Sequence, residues 1–198
     1  MQVSPGTLVP RADTEILVEK ALEIAAHTAD GYIVDLGTGT GAIAIAVANE
    51  LPDRHIIAIE CSTPATKIAQ TNIQTLSAGN VQLIQASWLD AIADNQAAMV
   101  LSNPPYLASD DPHLEQLKHE PLDALVSGQT GLEDLEHIIA STSRAAKPGA
   151  PLILEHGNLQ GDGVRQLLLD YSYTGVGTTV DLAGRDRISF GYVIKRSV

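Results

Sequence analysis

The sequence holds one cysteine, Cys61, so no internal disulfide can form and no thiolate metal site can be assembled. Cys61 itself reads as small apolar filler. No charge-free apolar run is long enough to span a bilayer. The first ten residues lack both the basic start and the apolar block of a signal peptide. A soluble, cytoplasmic protein is expected. Positive charge is also scarce: 12 basic residues against 24 acidic ones give a net charge of −12. Nucleic-acid binders usually carry basic patches, because neutralising phosphates drives their affinity. None is visible here, and Lys195-Arg196 is too short to count, so DNA or RNA is disfavoured as the main substrate. The acidic balance reads as a solvated face, or as a surface suited to a basic region of a protein partner. Six histidines are scattered at His27, His55, His113, His119, His137 and His156. No pair has metal-ligand spacing with a third ligand, so no metal site is expected. His156 reads as structural or pocket-lining. Neither a G-x-S-x-G elbow nor a Walker loop is present, and there is no repeat or low-complexity tract.

What is present is an alternation of apolar runs and helical patterns. The 198 residues suit one domain with a sizeable core. Short apolar runs at 32–37, 55–60, 81–86, 97–102 and 151–156 predict five strands. Residues 41–51 form a small-residue helix pattern. Thr63-Pro64 predicts an N-cap with proline at the first helical position, and that helix runs to about Ser77, stopped by Gly79-Asn80. Further helices are predicted over 132–147 and 159–170. Two runs around Ala183-Gly184-Arg185 predict an antiparallel pair. Ahead of all this, residues 1–30 form an extended arm and a leading helix with Asp13 as its N-cap, and residues 31–198 form the main domain. Buried strands joined by crossover helices imply an α/β, doubly wound, Rossmann-like fold. With the closing pair, the expectation is a seven-stranded, mostly parallel sheet with one antiparallel strand, a mark of methyltransferase-type sheets.

The loop "VDLGTGTGA" places Gly37, Thr38, Gly39, Thr40 and Gly41 between a strand and a helix. Glycines there permit a tight turn and let a ligand approach the backbone. The helix N-terminus beyond them favours an anionic group. Glu60 closes the next strand about twenty residues on, where an acidic side chain can accept ribose hydroxyls. The same letters satisfy the loose dinucleotide pattern G-x-G-x-x-A, so the loop alone says only "nucleoside cofactor".

Asn103-Pro104-Pro105-Tyr106 follows the fourth strand. Prolines cannot pair in a sheet interior, so the strand must end here, at the carboxyl edge where open α/β sheets bind ligands. This stretch is similar to the [D/N/S]-P-P-[Y/F/W] signature of S-adenosylmethionine (SAM) enzymes that methylate a planar nitrogen. Such a nitrogen is a poor nucleophile because its lone pair is delocalised. The Asn103 side-chain oxygen and the Pro104 carbonyl can each accept one N–H of a substrate NH2, which aims the nitrogen and favours charge building on it. The prolines remove backbone freedom, and Tyr106 offers an aromatic wall. The stretch is a clamp for a planar NH2, with Asn103, Pro104 and Tyr106 as candidate catalytic residues.

Taken together, the blocks resemble the protein-(glutamine-N5) methyltransferases of peptide-chain release factors, the HemK or PrmC family. The blocks are "SPGTLVPRADTE", "VDLGTGTGAIAIAVA", "SNPPYL", "DPHL", "EPLDAL", "LILEHG" and "DLAGRDR", in family order across residues 3 to 194. The resemblance implies SAM as cofactor, S-adenosylhomocysteine as by-product, and the glutamine of a Gly-Gly-Gln tripeptide as methyl acceptor. It implies that Gly37 to Gly41 wrap the methionine end of SAM, that Glu60 holds the ribose and that Trp88 lies beside the adenine. Asn103 would touch both cofactor and substrate, and Asn103 to Tyr106 would bind the glutamine. Ser87 departs from an aspartate common in the family, Ala12 from a proline, and "LKHEP" from a usual aromatic or basic pair. The family's helical N-terminal domain is expected to be absent. A monomer acting on a release factor, with no membrane and no direct nucleic-acid contact, is the expectation.

Rival readings share parts of this pattern. A glutamine methyltransferase acting on a ribosomal protein has the same clamp, but "DPHL" favours the release-factor branch. A DNA-adenine or RNA-guanine methyltransferase also uses it, against the net charge. An NAD-dependent oxidoreductase would account for the glycine loop but not for Asn103 to Tyr106. A catalytically silent SAM-binding subunit would not need an intact clamp.

Overall fold

A computed structural model describes residues 1–4, 6–76 and 78–194. The sequence readings that touch Pro5, Ser77 and Lys195-Arg196 lie outside the described residues. Among the described residues, seven strands form one sheet: β1 (Tyr32–Leu36), β2 (Ile56–Glu60), β3 (Val81–Gln85), β4 (Ala97–Ser102), β5 (Pro151–Glu155), β6 (Thr174–Val180) and β7 (Asp186–Tyr192). Their order across the sheet is β3-β2-β1-β4-β5-β7-β6. β7 runs antiparallel to both of its neighbours, and the other pairs are parallel. The expected fold class is the one observed.

Among the described residues, five α-helices cover the two faces: α1 (Thr14–Ala25), α2 (Ala42–Glu50), α3 (Thr63–Thr75), α4 (Glu133–Ala145) and α5 (Gly161–Asp170). The central strands β2, β4 and β5 are buried along their whole length. Such strands read as unbroken apolar runs, because both faces are covered. Side chains alternate between two cores. Ile33, Met99, Leu101 and Ile153 pack with Leu17, Ala21, Ile43 and Val47 of α1 and α2. Val34, Leu36, Val100, Leu152 and Leu154 pack with Leu135, Ile138, Val164 and Leu168 of α4 and α5. The period of two thus assigns each strand residue to one layer.

Local details depart from the sequence reading at helix ends. The N-cap of α3 is Ser62, not Thr63. Ser62 keeps extended backbone (φ −74°, ψ 118°) and its hydroxyl accepts from the Ala65 amide at 3.5 Å, while Thr63 is already helical. The same helix ends at Thr75, ahead of Gly79-Asn80. Asn80 instead donates its side-chain amide to the carbonyls of Ala48, Leu51 and Arg54, closing the end of α2. Asp13 holds the N-cap position of α1 but makes no side-chain cap bond; its carboxylate is drawn to Arg187, 3.3 Å away. The stretch after β4, read as loop, carries two short 3-10 helices at Pro112–Leu117 and Leu122–Ala124. Among the described residues, no helix is long and apolar enough to cross a membrane, and no three His, Cys, Asp or Glu side chains are grouped to hold a metal ion.

Candidate active site

The strand order reverses between β1 and β4, which are parallel neighbours with Leu36 opposite Ser102. The Ser102 hydroxyl donates to the Leu36 carbonyl at 2.9 Å in a buried bond. The next residues, Gly37 and Asn103, therefore leave adjacent strands side by side at the carboxyl edge. This is the switch point where open α/β sheets bind ligands. An open cleft lies there, and its lining includes Gly37, Thr38, Gly39, Thr40 and Asn103, with Arg11 from the N-terminal arm and Thr14 from the start of α1.

The glycine loop has the shape its letters predict. Gly37, Gly39 and Gly41 have φ of 66°, 57° and 83°, a left-handed backbone that favours glycine. Asp35 ties the loop down. Its Oδ2 accepts from the Thr38 hydroxyl at 2.6 Å and from the Ala44 amide at 3.1 Å, while its Oδ1 is buried without a partner. Burial pushes the Asp35 carboxyl up to about 7, against those two hydrogen bonds, with the Glu60 charge adding to the rise. Glu60 braces the loop from the end of β2, accepting from the Gly39 amide at 2.9 Å and the Ser62 amide at 2.8 Å. Its Oε1 also accepts from the Cys61 thiol at 3.8 Å, and its Oε2 keeps a further lone pair. Trp88 is itself left-handed (φ 39°), and its ring lies 3.6 Å from where a Cβ on Gly37 would stand. Glycine loop, Glu60 and Trp88 thus converge on one place.

The Asn103-Pro104-Pro105-Tyr106 turn is fixed from behind. The Tyr106 amide donates to the Leu125 carbonyl at 3.2 Å, and its own carbonyl accepts from the Gln160 side chain at 2.9 Å. Gln160 also donates to the Gly131 carbonyl and accepts from the Gly157 amide, so one side chain staples three segments. The Tyr106 hydroxyl is pushed up to about 12 by burial; the Glu155 charge adds to this, and Arg187 and Arg11 oppose it. Asn103 donates through Nδ2 to the Thr14 hydroxyl at 3.2 Å, and its Oδ1 is buried without a partner. A buried carbonyl oxygen without a donor is costly unless something arrives to satisfy it. An incoming N–H donor suits that oxygen, and a nucleoside sulfonium with hydroxyl, amine and carboxylate groups fits the uncovered glycine backbone beside Glu60.

Several members of the site carry no motif letter that singled them out. Asp35, Thr14, Glu155, Arg187 and Gln160 all hold the machinery in place. For Asp35 and Glu155 the signal was an acidic residue in a run otherwise apolar enough to be buried on both faces. His156 serves structure: Nδ1 lies 2.9 Å from the Gly157 carbonyl and Nε2 2.8 Å from the Ser189 hydroxyl, joining the end of β5 to β7. Arg11 pairs with Glu120, so the N-terminal arm touches the segment that follows the clamp.

Comparison with known proteins gives the same picture. The chain matches the family described as "Methyltransferase small domain" over residues 12–124. It is 46% identical over 191 residues to the release factor glutamine methyltransferase of Escherichia coli (strain K12), which covers 96% of this chain and 69% of that protein. It is 44% identical over 194 residues to the release factor glutamine methyltransferase of Vibrio cholerae (serotype O1), covering 96% and 68%. Among solved structures, the hMettl16 catalytic domain in complex with a MAT2A 3′UTR hairpin superposes with a TM-score of 0.78 at 12% identity, over 100% of this chain and 75% of that one. A methyltransferase from Pyrococcus furiosus gives 0.69 at 14% identity, over 98% and 89%. At such identities these two show the fold.

Proposed function

This chain belongs to the release factor glutamine methyltransferase family, and from that premise we propose that it transfers a methyl group from SAM to the side-chain amide nitrogen of the glutamine in the Gly-Gly-Gln tripeptide of a peptide-chain release factor. The observation that carries the reading is the buried, unpartnered Oδ1 of Asn103 beside a glycine loop with open backbone. In this reading Gly37 to Gly41 hold the methionine end of the cofactor, Glu60 the ribose hydroxyls, and Trp88 the adenine side. Asn103 Oδ1 and the Pro104 carbonyl each accept one N–H of the substrate amide, Pro105 stiffens the turn, and Tyr106 flanks the flat group.

When bound, SAM would supply an electrophilic methyl on a sulfonium whose sulfur would leave as the neutral thioether, with the surplus amide proton passing to water. The chain's own part is positional and electrostatic. Two acceptors on the NH2 hold its lone-pair axis toward the cleft and offset positive charge growing on nitrogen. Residues 1–30 serve as arm and leading helix to a catalytic domain at 31–198, acting as a monomer on its protein substrate.

The test is intact-mass analysis of a release factor incubated with this chain and SAM. One added methyl, mapped to the Gly-Gly-Gln glutamine, is the expected result. No added methyl while SAM binding is demonstrated, or a methyl on another residue, overturns the reading.

A further inference from the structure

An asparagine amide has two ends of opposite hydrogen-bonding sense, and only one of them can receive a substrate N–H. The proposed clamp therefore works in one of the two amide orientations. Asn103 has no intrinsic preference between them, so something around it must choose.

The Thr14 hydroxyl donates its only proton to Glu155 Oε2 at 2.8 Å, in a buried bond. What remains on Thr14 Oγ1 is lone pairs. These face the Asn103 amide at 3.2 Å, and only Nδ2–H can satisfy them. The reversed amide would set Oδ1 against those lone pairs. The order Asn103 Nδ2 to Thr14 Oγ1 to Glu155 Oε2 is thus a one-way chain whose sense is set at its far end by a carboxylate. We propose that Thr14 and Glu155 are positioning residues that fix the Asn103 amide with Oδ1 turned toward the methyl-accepting nitrogen. This inference rests on the glutamine-methylating reading of the same site.

Glu155 is built for that task and is otherwise unexplained. It is 1% exposed, and burial raises its carboxyl to about 7 against the favourable bond from Thr14 and the charge of Arg187. Asp13 adds to the rise, and Asn103 opposes it. The charged and titratable groups around it are Asp13 at the start of α1, Tyr106 after β4, His156 beside it and Arg187 on β7. Once protonated, Glu155 can donate to Thr14 Oγ1. The Thr14 proton is then free to point at Asn103, and the sense of the chain is lost.

The experiment compares Thr14→Val, Thr14→Ser and Glu155→Gln with the wild type by two readouts. The first is the side-chain amide resonance of Asn103 in a 15N spectrum, assigned by its loss in Asn103→Asp. The second is the split of kcat from KM for methylation of a release factor. Thr14→Val removes the hydroxyl at nearly constant volume. Glu155→Gln replaces a carboxylate that only accepts with an amide that can either donate or accept. The proposal expects the Asn103 resonance to move in both, to titrate near pH 7 in the wild type, and to stop titrating in Glu155→Gln. It expects kcat to fall about 30- to 100-fold, as for a misplaced reacting group, with KM within about threefold. Thr14→Ser should restore both. An Asn103 resonance and a kcat unchanged in Thr14→Val and Glu155→Gln overturn it. If the wild type methylates no release factor, the proposed function falls on its own, and the resonance still decides the orientation.

Discussion

Asp35 stands at the base of the glycine loop with no exposed surface, and burial raises its carboxyl from 3.8 to about 7. A group that binds its proton more tightly folded than unfolded makes folding proton-favoured. Stability must therefore fall as pH rises from above 4 through about 7. Between pH 5 and pH 7 the unfolded chain has already lost the Asp35 proton and the folded protein keeps it. Each of those pH units removes about 1.4 kcal/mol, so Asp35 alone accounts for about 3 kcal/mol of stability lost between pH 5 and pH 8. Asparagine at this position has no proton to lose. The perturbation is Asp35→Asn, and the assay is urea unfolding of both proteins at pH 5 and pH 8. The quantity to read is how the stability difference between them changes with pH.

That double difference removes everything the two proteins share. His156 shifts in the opposite sense, since burial lowers its pKa and lends stability as pH rises, but it is common to both and cancels. Glu155 titrates in the same window as Asp35 and cancels likewise. The variant should gain about 3 kcal/mol relative to wild type on going from pH 5 to pH 8. With a urea slope of about 2 kcal/mol/M, the midpoints should move apart by about 1.5 M. Parallel pH profiles for the two proteins refute the reasoning, because they would mean that Asp35 titrates alike folded and unfolded. A carboxylate retained at this cost is explained by what it grips: the Thr38 hydroxyl and the Ala44 amide on either side of the loop.

Asn103→Ala removes the clamp acceptor while leaving Thr14 bonded to Glu155, so methyl transfer should drop at least about 100-fold in single turnover, with thermal unfolding nearly unchanged. Gly41→Ala puts a Cβ 3.3 Å from the Ile45 side chain at a φ of 83°, and should cost about 1–2 kcal/mol in urea unfolding and weaken SAM binding by calorimetry. Arg187→Met removes the cation shared by Asp13 and Asp181, and should lower the urea midpoint, with Asp181 still held by the Ala183 and Arg185 amides. Arg11→Ala frees Glu120 from an exposed pair, so stability should change by less than about 1 kcal/mol, while limited proteolysis within 112–125 speeds up.

What could be read from letters alone follows a physical line. Strands buried on both faces are apolar without interruption, and β2, β4 and β5 stood out for that reason. The glycine loop and the strand end at Pro104-Pro105 were legible because each is local. Left-handed backbone at Gly37, Gly39 and Gly41 is required within five residues, and two prolines end a strand wherever it lies. Helix caps were less legible because neighbours compete for the same role. Ser62 and Thr63 can both cap; the chain's path into α3 leaves only Ser62 extended. Asp13 looks like a cap until Arg187, far along the chain, draws its charge away from the helix. The 3-10 turns after β4 are three to six residues long, and such lengths leave no periodicity to detect.

Thr14 and Glu155 were illegible for a deeper reason. Each lies inside a recognisable block, but its task exists only in a bond between blocks. Thr14 meets Glu155 across 141 positions and Asn103 across 89. The arm around it makes the same kind of reach twice more, through Arg11 to Glu120 and Asp13 to Arg187. Three neighbouring residues where the arm enters α1 thus touch the segment after Tyr106, Asn103 itself, the end of β5 and the closing hairpin. A motif search treats these blocks as separate signatures. The bonds make them one device, in which the arm carries little chemistry of its own and the orientation of a single amide depends on it.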